Sequence, residues 1–472
     1  MSLTTSAAAA QLGEFVSSAS IPDEAREAAR AAVQDTVGVI LAGAVEPAAK
    51  IVQRVLQVEG AVATPPSKIG RSHILGSGHS CGPSSAALVN GTAAHALDFD
   101  DMCWVTLAHP STPLVAAGLA VGESVEVSGR TLLDSYVVGF EVEAVLGAVM
   151  NPSHYEHGWH CTSTIGTIGA AATAARVLGL DTAGTTRALS IAASEASGLK
   201  ANFGTMVKPL QGGLAARNGV LAALLAQEGL SASSRAIEST QGFLVAMHSE
   251  KTDISSALVA LGHHWEILEG GITVKLYPSC AATHPTIDTL LDLRSELGLV
   301  PDAIESIDVF VDPVTPTVLI YDRPQTGLQG KFSLHYCAAA AIGFGGVGIE
   351  TFEPAAMQTP SVANLVSRID MHADENVGRD AAPLTQARIV VCLRDGRTIE
   401  RSVDGARGYP NKPATTEELN RKFLHCAERA ISAASARKAL NYIQNLSTEG
   451  VSVGTLVALL VGTETYQEEG AS

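Results

Sequence analysis

The densest run of groups able to move protons is HALDFDDMCWVTLAHPS, from His95 to Ser111. Asp98, Asp100 and Asp101 crowd into its DFDD segment, and His109 follows just before Pro110. Close carboxylates raise one another's pKa and an imidazole titrates near neutrality, so this is a kit for general acid-base work. Helix capping and surface solvation would explain the same residues without chemistry. A second run, SHYEHGWHCTSTIGTIGA, carries His154, His157 and His160. Ligands at spacings of three drift around a helix rather than converge, and zinc sites mix wider spacings with a distant ligand, so no metal is expected. His160, beside Gly158 at a helix start, is the functional candidate of the three.

Two lysines stand out. Lys208, in GTMVKPLQGG, precedes a helix carrying Arg217. Lys275 lies in an alternating apolar run beside Tyr277 and ahead of His284-Pro285, where a charge is costly unless it meets solvent or a ligand anion. Tyr321, in LIYDRPQTGLQGKFSLHY, offers a hydroxyl donor, with Arg323 and Lys331 close behind for carboxylate contacts. Gly343, Gly345 and Gly348 fit GxGxxG but follow an Ala-rich helical run instead of a strand, so they do not read as a dinucleotide fingerprint. P-loop and HExxH motifs are absent from the sequence.

The elements that must position these residues are mostly helical. After Ile21-Pro22-Asp23, the residues Ala29, Val33, Val37, Ile40 and Leu41 recur at helical spacing, with acids in the first turn and Gly43 as the expected stop. Comparable patterns cover Pro113 to Val125, Leu132 to Val149, Thr164 to Leu180, Thr185 to Ala196 and Gly213 to Leu230. Near residue 270 the period changes. Ile272, Val274 and Leu276 alternate with Thr273, Lys275 and Tyr277; IESIDVFVD from Ile304 to Asp312 alternates again; and Ala387 to Val403 reads as a hairpin around Asp395-Gly396. Helical patterning returns from Glu417. The expected fold is mainly α: one large all-helical domain built from 1–268 and 405–472, with an inserted, smaller α+β lid domain at 269–404 and a substrate cleft between them.

Composition narrows the partners. The 472 residues exceed what one core usually serves, roughly 250 to 300 residues. Only 17% are charged and 4% aromatic, and mean hydropathy is +0.21, which points to apolar surface hidden in a homodimer. A net charge of -17 argues against nucleic acid and anionic membranes, while leaving room for a few basic side chains to set a local potential for an anionic substrate. Seven scattered cysteines without a CxxC, a start lacking a basic n-region, and apolar runs shorter than the ~20 residues of a span fit a cytoplasmic protein.

The segments IPDEAREAARAAVQDTVGVILAG, HALDFDD with HPS, GWHCTSTIGTIGAAATAARVLGL, KPLQGGLAARNGVLAALLAQEG, KLYPSCAATHP and KFSLHYCAAAA, in this order, resemble the MmgE/PrpD family. The resemblance runs nearly end to end. It implies a helical domain, an α+β lid, a homodimer and a cofactor-independent site. By motif, that site comprises Asp98, His109, His160, Lys208 and Lys275, with Tyr321 by approximate position. Lys208 and Lys275, joined by His284, Arg323 and Met102, would hold a small di- or tricarboxylate while a proton moves at the carbon beside a carboxylate. Return of the proton to the opposite face gives epimerisation, loss of hydroxide gives dehydration, and loss of carbon dioxide gives decarboxylation. Decarboxylase-like members carry Thr after DFDD where this chain has Met102, and dehydratase members read close to YNDTW and WGHPSDN where it has FDDMCW and AHPST. The altered dehydratase motif tilts the expectation to an iminodisuccinate-like epimerase, with a decarboxylase or 2-methylcitrate dehydratase-like lyase as alternative. Two readings lie outside the family: a non-catalytic polycarboxylate binder, and a metal-dependent hydratase or hydrolase using Asp100 and Asp101 with His154, His157 and His160.

Overall fold

In a computed structural model, residues 7–61, 70–378 and 385–462 are described, and the fold is mainly α with small sheets. The expected helices form with shifted ends: Asp23–Ala44, Ser111–Ser124, Gly129–Met150, Cys161–Val177, Thr182–Glu195 and Val207–Gln227. They pack around an Ala-rich first core that includes Val33, Ile40, Leu114, Phe140, Ile165 and Val220. Phe423, Ile443 and Leu456 join the same core from the C-terminal helices Thr416–Ala427, Ala433–Ile443 and Val453–Leu460. Gly43 does not stop its helix. It lies within Asp23–Ala44, and a Cβ there would sit 1.9 Å from the carbonyl oxygen of Ala93 on helix Pro83–Ala96. The glycine serves close backbone approach between two helices.

A second core, drawn from residues between Tyr277 and Leu393, packs helices His284–Leu297 and Leu334–Phe344 on a four-stranded sheet. Strand Ile304–Val311 pairs antiparallel with Gln386–Leu393, which pairs antiparallel with Thr398–Asp404. The turn at Gly396 (φ +87°) matches the hairpin expectation. The edge strand Ile369–Ala373, parallel to Ile304–Val311, escaped the sequence reading because only its first residue is buried. Residues 272–277 form no strand. Thr273 pairs with Met102 alone, and Val274 donates its N–H to the Gly408 carbonyl (2.8 Å), so this extended segment is held by one isolated bridge on one side and one hydrogen bond on the other. Gly345, in the left-handed region at φ +73°, ends helix Leu334–Phe344, as the helical context of the GxGxxG match implies.

Candidate active site

Helix Pro83–Ala96 ends with His95 fully enclosed, and the chain then turns through Leu97 into Asp98, which adopts a left-handed backbone (φ +51°). Asp tolerates that region better than most residues, yet such conformations persist only where the surroundings enforce them, commonly at functional sites. Here the enforcement is ionic. Asp98 is buried and meets Lys208 Nζ at 2.5 Å and Lys275 Nζ at 2.9 Å, while Lys275 also donates to the Asp98 carbonyl at 3.1 Å. Lys208 comes from the first turn of helix Val207–Gln227. Lys275 comes from the extended segment, registered by two backbone hydrogen bonds between Thr273 and Met102 (2.8 and 2.9 Å). Behind it, the buried Lys331 donates to the carbonyls of Leu97 and Pro278, both at 2.8 Å, stapling the two segments. Burial pushes Lys331 down to about 7, and its bonds place it behind the cavity, not on a substrate carboxylate.

Burial alone would raise the Asp98 carboxyl, but the ammonium groups of Lys208 and Lys275 hold it well below the usual carboxylate range. Asp100 likewise stays well below that range: burial opposes its charge, and His109 and His95 favour it. Its Oδ2 accepts from His95 Nδ1 (2.7 Å) and Thr112 Oγ1 (2.6 Å) and lies 3.3 Å from His109 Nδ1. Asp101 has the structural role. It accepts the N–H of Ser111 at 3.2 Å and the Ser111 hydroxyl, capping helix Ser111–Ser124, and burial pushes it up to about 7.

Three imidazoles cluster beside these acids, with His95 edge-on to His109 at a ring-centroid distance of 4.6 Å and stacked on His160 at 5.5 Å. Burial brings His109 down to about 4, a shift that Asp100 opposes and Lys275 and Lys208 reinforce. Burial, with His95 and Lys208 nearby, holds His160 well below its ordinary value. His160 Nδ1 bonds Gln211 Oε1 at 2.6 Å, which assigns the proton to Nδ1 and leaves buried Nε2 without a partner. His95 bridges the two charged groups, since its Nε2 accepts from Lys208 Nζ at 2.9 Å.

Asp98, His109, His160, Lys208 and Lys275 line one cavity of about 540 Å³, together with Met102. Three other sequence candidates are not brought there. The Tyr321 hydroxyl donates to the Phe203 carbonyl at 3.2 Å, behind the cavity wall. His284 is buried against Tyr277, with Nε2 3.2 Å from the Ser279 carbonyl, and burial drives it down to about 3. Arg323 is exposed, because its loop faces outward. The histidine trio does not converge either: His154 is spent on the Met247 carbonyl (2.5 Å) and Thr164 Oγ1 (2.7 Å), and exposed His157 stacks on His248. His95, Asp98, Asp100 and His109 do bring donor atoms within 4.8 Å of one another. Lys208 already occupies His95 Nε2 and Asp98 Oδ1, Lys275 occupies Asp98 Oδ2 and Thr112 occupies Asp100 Oδ2, so ammonium groups supply the positive charge beside Asp98. The roles of His95 and of Asp100 in orienting it were missed. The available signal was a histidine at a helix C-terminus five residues before an acid.

What this arrangement can do is bind an anionic head beside two ammonium groups and exchange protons with it through neutral imidazoles, one of them backed by a buried carboxylate. Comparison with known proteins agrees in scope. Residues 10–255 match the MmgE/PrpD N-terminal domain and residues 277–448 the MmgE/PrpD C-terminal domain. The chain is 31% identical over 379 residues to the cis-aconitate decarboxylase of Homo sapiens, covering 77% of this chain and 76% of that protein. It is 29% identical over 417 residues to the cis-aconitate decarboxylase-like protein oryM of Aspergillus oryzae (83% of this chain, 85% of that protein). It is also 26% identical over 430 residues to the cis-aconitate decarboxylase of Aspergillus terreus (85% of each). With both domains matched in order over most of its length, the chain belongs to the MmgE/PrpD family.

Proposed function

We propose that this protein is a lyase that removes carbon dioxide from an unsaturated polycarboxylate of the cis-aconitate type. The observation that carries the reading is the convergence of Lys208 and Lys275 on Asp98 beside His109 and His160 at one cavity. The named relatives favour decarboxylation over the epimerisation that the altered motif suggested.

A substrate carboxylate draws Lys208 and Lys275 from Asp98. The bond between a second carboxylate and its carbon breaks, its electron pair forms a new C=C bond, and the former alkene pair moves onto the carbon next to the lysine-bound carboxylate. The two ammonium groups stabilise that developing charge in a cavity partly shielded from water. His109, whose proton affinity rises as the anion arrives and whose cation Asp100 supports, delivers a proton to this carbon. His160 Nε2 serves the opposite side. Tyr321, behind Phe203, positions that wall. The proposal is completed by residues 269–404 closing as a lid over the helical remainder, in a cytoplasmic homodimer. Among the described residues no helix is long and apolar enough to cross a membrane.

The test is incubation of the purified protein with cis-aconitate. Stoichiometric carbon dioxide and an unsaturated dicarboxylate are expected; isomerised acid with every carbon retained rejects the lyase.

A further inference from the structure

The floor of the cavity is ionic, but its walls are not. Phe203, Val318 and Phe332 form a separate apolar cluster, with Phe203 and Phe332 ring centroids 5.7 Å apart and Tyr155 and Cys280 packed against it. Trp104 and Ala281 belong to a second cluster, with Met102 and Leu107 against it. Members of both clusters line the same space. Among the described residues, Lys208 and Lys275 are the cations of the lining, and both are engaged by Asp98. The lining also includes exposed Glu156 and Glu375 and half-buried Asp312, so its open side carries acids. A volume of about 540 Å³ is more than a small polycarboxylate fills, and lies within the roughly 300 to 1,000 Å³ of pockets for larger organic ligands.

A carboxylate on the lysines would leave the rest of the ligand against two apolar walls, and among the described residues any further negative charge extended outward would meet three acids. We infer that the substrate carries an uncharged apolar substituent that lies against the Phe203/Phe332 and Met102/Trp104 walls. This rests on the lyase reading and specifies its substrate class: an alkyl-substituted unsaturated polycarboxylate, with its charged end at Lys208 and Lys275.

The experiment compares kcat/KM for cis-aconitate and for cis-aconitate bearing an n-butyl group on its hydrogen-bearing alkene carbon, with carbon dioxide release as readout. Each buried methylene contributes roughly fourfold, so a chain with more than half its carbons buried favours the butylated acid by about 30-fold. Met102→Gln, which keeps the backbone pairing with Thr273 but puts an amide on the wall, lowers that ratio by about threefold or more. A ratio near one or below, with cis-aconitate turned over, overturns the inference and leaves the lyase standing. Loss of carbon dioxide from neither acid overturns the lyase instead. In that event calorimetric Kd values for the same two acids decide the inference: tighter binding of the butylated acid by about 30-fold supports the apolar wall, and equal Kd values overturn it.

Discussion

Replacing Asp100 by Asn tests how the site keeps a buried histidine usable as an acid. Asp100 Oδ2 lies 3.3 Å from His109 Nδ1, and its charge is the main influence opposing the burial that brings His109 down to about 4. Unit charges at that distance attract by about 1 kcal/mol in water and about 5 kcal/mol at the effective dielectric of a protein interior. The lower figure already corresponds to roughly one pH unit. The amide keeps an oxygen acceptor for Thr112 and His95, so the fold is expected to survive, with a melting point measured by calorimetry as control. Without the carboxylate, the imidazolium of His109 is harder to form in the substrate complex. The alkaline limb of kcat against pH should therefore move to lower pH by about one unit or more, and kcat on that limb should fall by about 10-fold or more. The assay is carbon dioxide release at saturating acid across pH. A uniform drop in kcat with an unmoved limb would refute the role given to Asp100.

Four further outcomes follow. Lys275→Met, or Lys208→Met, should chiefly raise KM; an unchanged KM removes that lysine from substrate binding. Gly43→Ala places a methyl 1.9 Å from the Ala93 carbonyl and should lower stability by about 1–3 kcal/mol in denaturant melts, whereas a neutral result would mean that the two helices separate freely. Burial brings His154 from 6.5 to about 4, so it binds fewer protons folded than unfolded, and its contribution to stability is lost as pH falls from 6.5 towards 4. His154→Gln should flatten the fall of the melting temperature over that window; an unaltered slope contradicts the shift. Light scattering should give a mass near twice 48.7 kDa, and a monomer at micromolar concentration removes the dimer.

Much of this architecture was legible because it rests on local periodicity. The long Ala-rich helices, strand Ile304–Val311 and the Gly396 hairpin announce themselves through spacing and turn chemistry. What failed depended on distant partners. Residues 272–277 alternate like a strand, yet the alternation reflects one side of the segment facing Asp98 and the other contacting Gly408 from far along the chain. Gly43 looked like a helix stop because nothing local reveals the approach of Ala93. In the site, Asp98, His109, His160, Lys208 and Lys275 were each weak signals alone, and became a set through their resemblance to a family and then through their meeting at one cavity. His95 was passed over because its meaning comes from Asp100 and Lys208, the latter 113 residues away. Tyr321, His284 and Arg323 had suitable chemistry, but their backbones direct them elsewhere.

The central claim is that one proton reaches the carbon beside the lysine-bound carboxylate as carbon dioxide leaves, by way of His109. Conversion of cis-aconitate in heavy water, followed by NMR, addresses it directly. The expected product carries one deuteron per turnover on that carbon, on a single face, with the rate lowered by about 10²-fold in His109→Gln. Deuterium appearing in the starting acid without loss of carbon, or a His109→Gln rate equal to that of the unmodified protein, would contradict the account.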